Sequence, residues 1–392
     1  MYYVATISAI VAFRTFECAV RVLMLLWRHN MKLSVIIPCF NEARTIREIL
    51  SRVKVAEIPA SWQKEIIVVD DGSGDETKAV LRTLLIENPE VRIIFKEQNG
   101  GKGSAVKAGL GEAEGDYLII QDADLEYDPS EYPRLLAPLI EGKATAVFGS
   151  RILGNNVPSS RLYFYGGLLV SKVFNLAFGT HLSDVTTCYK VFPRALVKEI
   201  IEQPSNDFVF DAIELTHVIA RRATIVEVPI SYHSRTHREG KKISWSDGVK
   251  CVFATFCLRV GIDLPTGMRI ARFIITGALA AAVNLGVLYS VTVYGHLWYL
   301  YSAVLGFIVA FIVSFLLSKF WTFGNRARAG TERQLILHLL VALGNLVINT
   351  ILVYLFVEGF DLWYMLAQAV AAVLIAIESY FSYRWIYRRP LF

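Results

Sequence analysis

The sequence predicts an α/β domain built on a mostly parallel sheet, joined to an all-α domain of four membrane-spanning helices. Three observations predict this. From residue 32 the chain repeats short apolar runs, polar or Gly-rich turns and helical stretches. Its apolar residues concentrate after residue 269, in a chain of 392 residues that is 54% hydrophobic with a mean hydropathy of +0.43. Arginines fill alternate connectors of that apolar half and leave the others free of basic charge.

Residues 1–30 come first. "VATISAIVAFRTFECAVRVLMLLW" is apolar, but Arg14, Arg21 and Arg28 recur every seventh position and share one face of a helix. That pattern suits an amphipathic helix in the membrane interface. A start of translation at Met31, where a strand pattern begins at once, fits equally well.

Residues 31–245 form the α/β domain. "KLSVIIPCFNE", "EIIVVDDGSGDET", "VRIIFKE" and "DYLIIQDAD" read as strands that end in turns. "ARTIREILSRVK" and "TKAVLRTLLIENP" read as helices between them. Ligands of such sheets bind outside the carboxyl ends of the strands, so the turns at 38–42, 70–75, 99–103 and 122–126 should gather on one edge. The last of these carries Asp122, Asp124 and Glu126 at alternate positions. On extended chain the three carboxylates point the same way, and their repulsion calls for a cation. Mg²⁺ or Mn²⁺ takes oxygen ligands and bridges carboxylates to substrate phosphates.

Residues 246–268 link the two halves. "SDGVKCVFATFCLRVGID", like the earlier "LYFYGGLLVSKVFNLAFG" at 162–179, reads as an interfacial helix rather than a core helix. Four apolar segments follow within 269–392, at 270–293, 298–318, 334–357 and 363–386, each long enough to cross ~30 Å of hydrocarbon. Arg269, Arg272, Arg326, Arg328, Arg333, Arg384, Arg388 and Arg389 fall at the entry, the second connector and the C-terminus. The positive-inside rule then puts the α/β domain and the C-terminus in the cytoplasm. Asn284 and Asn349, and "SKFWTF" and "SYRWIY", recur as a loose two-helix repeat, and both asparagines should face protein.

Composition excludes some functions. A net charge of +5, dispersed along the chain, does not suit nucleic-acid binding. The five cysteines have no metal-binding or disulfide spacing.

"VIIPCFNE", "VVDDGSGDET", "NGGKGSAVKAG", "DADLEYDP" and "GSR" together resemble the successive motifs of glycosyltransferase family 2. "SDVTTCYKVF", "FDAIEL" and "VEVPISYHSRTHREGKKISW" are similar to its dolichyl-phosphate or polyprenyl-phosphate mannosyl- and glucosyltransferase branch, and the four spans resemble the GtrA-like membrane domain. The resemblance implies a Rossmann-like, nucleotide-sugar-binding GT-A fold. It implies Pro38, Phe40, Glu42, Asp70, Asp71, Lys102 and Gly103 as donor-binding residues, with Asp122 and Asp124 on the metal and Glu126 a third candidate ligand. Arg151, Arg161 and Arg235 match positions that grip an acceptor phosphate. Lys241 and Lys242 either close over the phosphates or meet anionic headgroups. Asp211 and Glu214 stand where hydroxyl-using relatives place a catalytic acid, and a supporting role is expected for them here.

The implied reaction is metal-dependent, inverting transfer of a hexose, mannose before glucose, from GDP-mannose or UDP-glucose to dolichyl or polyprenyl phosphate at the cytoplasmic membrane face. Asp122, Asp124, Arg151 and Arg235 would carry it. A sugar-to-sugar or processive polysaccharide transferase is the rival enzyme, although the QxxRW signature is missing. A lipid-linked sugar translocase with a nucleotide-sensing domain is the rival from another class. A homo-oligomer is left open.

Overall fold

The computed structural model describes residues 31–157, 160–235 and 244–387. The N-terminal thirty residues, Lys241, Lys242, Arg388 and Arg389 lie outside the described residues. The chain divides into two compact units between Leu264 and Pro265, close to the expected boundary at 268/269.

In the first unit the strands are β1 (Lys32–Cys39), β2 (Gln63–Asp70), β3 (Arg92–Phe95), β4 (Tyr117–Ile120), β5 (Ala146–Ser150), β6 (Lys190–Pro193) and β7 (Ile225–Pro229). They form one sheet in the order β3-β2-β1-β4-β6-β5-β7. All neighbours are parallel except β6, which runs antiparallel to both β4 and β5. Apolar runs dictate the centre: from Leu33 to Cys39 every residue of β1 is buried, as expected of a strand covered on both faces.

The crossover helices show how their sequences bury one face. In α1 (Ile46–Val55), Ile46, Ile49, Leu50 and Val53 are buried at the three- and four-residue spacing of one helical stripe. Between α2 (Thr77–Glu87) and α4 (Tyr132–Ile140) lies α3 (Lys102–Glu112), which starts directly after the glycine turn 99–101 and packs on β1 and β2. Helix α5 (Arg161–Phe178) packs along α8 (Trp245–Arg259). Between them in sequence come α6 (Val197–Ile201), a π-turn at Phe210–Glu214 and α7 (Leu215–Arg222).

The second unit has four helices long and apolar enough to cross a membrane: α9 (Leu264–Val293), α10 (Tyr299–Leu316, prolonged by a π-turn to Thr322), α11 (Thr331–Tyr354) and α12 (Tyr364–Ile386). Each covers one predicted segment. Within this unit Asn349 and Gln368 exchange side-chain hydrogen bonds of 3.2 and 3.4 Å, and Asn345 donates to Ser379 Oγ at 2.7 Å. Gly306 lies so close to Asn284 that a Cβ there would come within 2.6 Å of Asn284 Oδ1. Both repeated asparagines therefore face neighbouring helices, which meets the cost of an amide in hydrocarbon.

Candidate active site

The carboxyl ends of β1, β2 and β4 and the glycine turn before α3 do gather on one edge. They line a cavity of about 470 Å³ with Pro38, Phe40, Glu42, Asp71, Asn99, Lys102, Asp122 and Asp124, joined from later segments by Arg151, Thr186, Tyr232, Arg235 and Asp247. Backbone geometry explains how the acids arrive. β4 stops at Ile120, and Leu125 adopts a left-handed conformation with φ 65°, so the segment turns instead of running straight through Glu126. Strict alternation on extended chain, the basis of the three-carboxylate expectation, does not hold here.

Each acid instead meets its own partner. Asp122 Oδ1 lies 2.7 Å from Lys102 Nζ, which also lies 2.8 Å from Asp211 Oδ2. Lys190 backs Asp211 at 3.5 Å and donates to its backbone carbonyl at 2.8 Å. The result is a row of alternating charge that runs from the cavity lining into the interior: Asp122, Lys102, Asp211, Lys190, the last two fully buried. Burial disfavours the Lys102 ammonium, but the two aspartates hold its proton well above the ordinary lysine range. Burial likewise works against the Asp211 carboxylate, and Lys102 and Lys190 more than offset it and lower its pKa.

Asp124 Oδ2 accepts from Arg235 Nη2 at 2.7 Å, and Arg235 also reaches Glu42 at 3.4 Å. Burial, with repulsion from Asp122 and Glu126, pushes the Asp124 carboxyl up to about 7 despite this arginine. Glu126 spends both oxygens on the same segment: Oε2 accepts from Tyr232 OH at 2.6 Å and Oε1 from the Arg235 N–H at 2.7 Å. It therefore positions Arg235, and no group of three His, Cys, Asp or Glu side chains with metal-holding geometry exists among the described residues. The pair Asp122 and Asp124 fits a hard divalent cation on its chemistry: two carboxylates line the cavity, and the charge on one is strained by the other.

Residues 34–201 match the family model for glycosyl transferase family 2, and residues 272–387 match the GtrA/DPMS transmembrane domain. A glycosyl transferase family 2 domain is thus joined to a GtrA/DPMS transmembrane domain. It is similar to a dolichol-phosphate mannosyltransferase of Pyrococcus furiosus, 27% identical over 351 residues that cover 88% of this chain and 96% of that protein. It is also similar to an undecaprenyl-phosphate 4-deoxy-4-formamido-L-arabinose transferase of Aeromonas hydrophila, 30% identical over 53% of this chain and 62% of that protein. Among solved structures, glucosyl-3-phosphoglycerate synthase of Mycobacterium tuberculosis aligns with 59% of this chain and 81% of its own, at 21% identity and a TM-score of 0.45.

The glycosyltransferase places its other expected residues unevenly. Asp71 lines the cavity and clamps the glycine turn: it accepts from Lys96 Nζ, from Gly100 N at 3.1 Å and from Gly101 N at 2.7 Å. Asp70, expected beside it, is fully buried and accepts from Ser73 N. Neighbouring residues at a strand end face opposite ways, and of the two only Asp71 lines the cavity. Gly103 does not line the cavity either; a Cβ there would stand 2.6 Å from Phe210 Cβ, so its smallness serves helix packing. Arg161 is exposed on the first turn of α5 and takes no part in the lining.

Arg151 lies in the lining, but its fork is already engaged. Nε and Nη2 donate to Asp184 at 2.7 and 2.8 Å, and Nη2 donates to Thr186 at 2.7 Å. Its guanidinium also lies over the Tyr232 ring. Burial opposes that charge, and Asp184 raises its pKa beyond the usual arginine range. Asp184, Thr186, Tyr232 and Asp247 were not singled out from sequence. The first two sit in the "SDVTTCYKVF" motif, so the motif was legible although its residue roles were not.

Proposed function

We propose that the enzyme transfers a hexose, with mannose favoured, from a nucleotide sugar to the phosphate of a dolichyl or polyprenyl lipid at the cytoplasmic membrane face, with inversion. The observation that carries this reading is one cavity in which the Asp122 and Asp124 carboxylates lie among Lys102, Arg151 and Arg235. A likeness to a dolichol-phosphate mannosyltransferase across nearly all of that protein's length supports the acceptor and the sugar. The GtrA/DPMS domain, with its four apolar helices, makes the enzyme an integral membrane protein.

The residues divide the work. The loops at Pro38–Glu42 and Asp71 hold the nucleoside, and Lys102, fixed between Asp122 and Asp211, faces the diphosphate. Asp122 and Asp124 would hold Mg²⁺ or Mn²⁺, which supplies positive charge to the departing nucleotide diphosphate. Arg235 and Arg151 hold the attacking phosphate, Arg151 from a platform set by Asp184 and Thr186. A phosphate monoester has its second pKa near ~6, so it is mostly an ionised nucleophile at neutral pH and needs no general base. Its oxygen forms a bond to the anomeric carbon as the bond from that carbon to the diphosphate breaks on the opposite face.

The paired helices α5 and α8 carry exposed Leu169, Leu176, Val249 and Phe256, which suits docking of the catalytic unit on the bilayer where such an acceptor is presented. Membranes containing the enzyme, incubated with labelled GDP-mannose or UDP-glucose and extracted with organic solvent, test the proposal. Label in a mild-acid-labile lipid supports it, and label in polymer contradicts it.

A further inference from the structure

The cleft at the far ends of helices α5, α7 and α8 is chemically distinct from the catalytic cavity and shares none of its lining residues. Its volume is about 580 Å³. His217, Arg221 and Arg259 supply its polar side, Leu176, Phe178 and Leu258 its apolar side, and no carboxylate lines it. We propose that this cleft binds the headgroup of an anionic membrane phospholipid by its phosphate, with Arg221 and Arg259 as the anion-holding pair.

Charge is the first argument. Arg259 makes no ion pair among the described residues. Arg221 reaches Glu199 only at 3.8 Å, while that carboxylate is already taken by Arg222 at 3.1 Å. Arginines in last helical turns also complement the helix dipole, which explains one exposed cation at each end. It does not explain why two converge on an open cleft beside a histidine whose buried Nδ1 has no hydrogen-bond partner. Burial and Arg221 lower the His217 pKa, so the imidazole is neutral at physiological pH and leaves the two arginines as the charged groups of the cleft.

Exposed apolar surface at the cleft selects a lipid over a soluble phosphate. Leu176, at the cleft, is 89% exposed, and Phe256 and Val260 are also exposed on the adjoining helix. An acyl chain covers such surface at no cost in hydration, whereas an inorganic anion leaves it wet. Arg259 also stands only five residues before Leu264, where the first helix apolar enough to cross a membrane begins, a tether of at most about 18 Å of extended chain.

The test uses the full-length detergent-purified protein in native mass spectrometry, with phosphatidylglycerol, phosphatidylcholine or inorganic phosphate as probe, against the double variant R221Q/R259Q. The wild type should hold at least one phosphatidylglycerol that the variant binds about tenfold more weakly, with no such difference for phosphatidylcholine. Millimolar inorganic phosphate should fail to displace it. Neither arginine lines the catalytic cavity, so transferase activity in a fixed lipid mixture reports that the variant is folded. Carbethoxylation of His217 should slow when phosphatidylglycerol is added to the wild type. Equal phosphatidylglycerol binding by both proteins would overturn the proposal. So would binding of inorganic phosphate that competes fully with the lipid, because the occupant would then be a soluble anion.

Discussion

Arg235 Nη2 lies 2.7 Å from Asp124 Oδ2, and the guanidinium thereby sits where a divalent cation on the same carboxylate would put its charge. In the proposed reaction Arg235 would have two jobs that cannot be done at once: neutralising Asp124, as it does here, and holding the acceptor phosphate. Once the Asp124 charge is met from elsewhere, Arg235 is free for the second.

Arg235→Met is therefore expected to raise the Mn²⁺ affinity of the nucleotide-free enzyme about tenfold or more at pH 8, since a competing charge-assisted hydrogen bond of about 1.5–3 kcal/mol is removed. Transfer should fall in the same variant. Free Mn²⁺ measured by electron paramagnetic resonance gives the answer; lower affinity in the variant would show that the arginine assists cation binding instead of competing.

Asp122→Asn and Asp124→Asn should each lower kcat by about 10²–10³ while the protein stays folded, the range typical of removing one electrostatic contact to a transition state. A chelator should abolish transfer by the wild type, and Mn²⁺ or Mg²⁺ should restore it. Activity that survives chelation would remove the cation from the account.

Asp211 is flanked by Lys102 at 2.8 Å and Lys190 at 3.5 Å, which makes it the link between the cavity end and the buried end of the charge row. Asp211→Asn leaves the buried Lys190 ammonium with less compensation, and a loss of about 3–5 kcal/mol in stability is expected. Adding Lys190→Met should recover part of that loss. A thermal melt separates this from direct chemistry: full stability with no turnover would make Asp211 a catalytic acid or base.

The Arg151–Asp184 pair gives a pH signature. Burial alone would raise the Asp184 pKa, but Arg151 more than reverses this and lowers it. A depressed folded-state pKa contributes stability that is present above the unfolded value of about 3.9 and lost as pH falls through the lower folded value. Melting temperature should therefore drop below about pH 4 in the wild type and change less over that window in Asp184→Asn. Identical acid profiles would show that the pair adds nothing to folding.

Much of this was legible in the sequence, and the exceptions have physical causes. β1 to β4 announced themselves because buried parallel strands read as continuous apolar runs between turn residues. β6 did not, because a four-residue antiparallel strand between β4 and β5 depends on pairing with strands 40 or more residues away in sequence. The carboxylates of 122 and 124 were legible from their spacing at a strand end. Their partners were not, since Lys102 meets Asp211 and Arg235 meets Asp124 only through the topology of the sheet. The partners of Glu126 were not legible either, because one left-handed residue, Leu125, redirects the chain and turns the carboxylate toward Tyr232.

The central claim is that an acceptor phosphate itself becomes glycosylated in the cavity bounded by Asp122, Asp124, Arg151 and Arg235. Phosphorus-31 magnetic resonance on purified enzyme, nucleotide sugar and a short polyprenyl phosphate follows that atom directly. The monoester signal of the lipid should give way to a phosphodiester signal as nucleotide diphosphate appears, and both changes should fail in Asp124→Asn. Release of nucleotide diphosphate while the lipid phosphate stays a monoester would contradict the account.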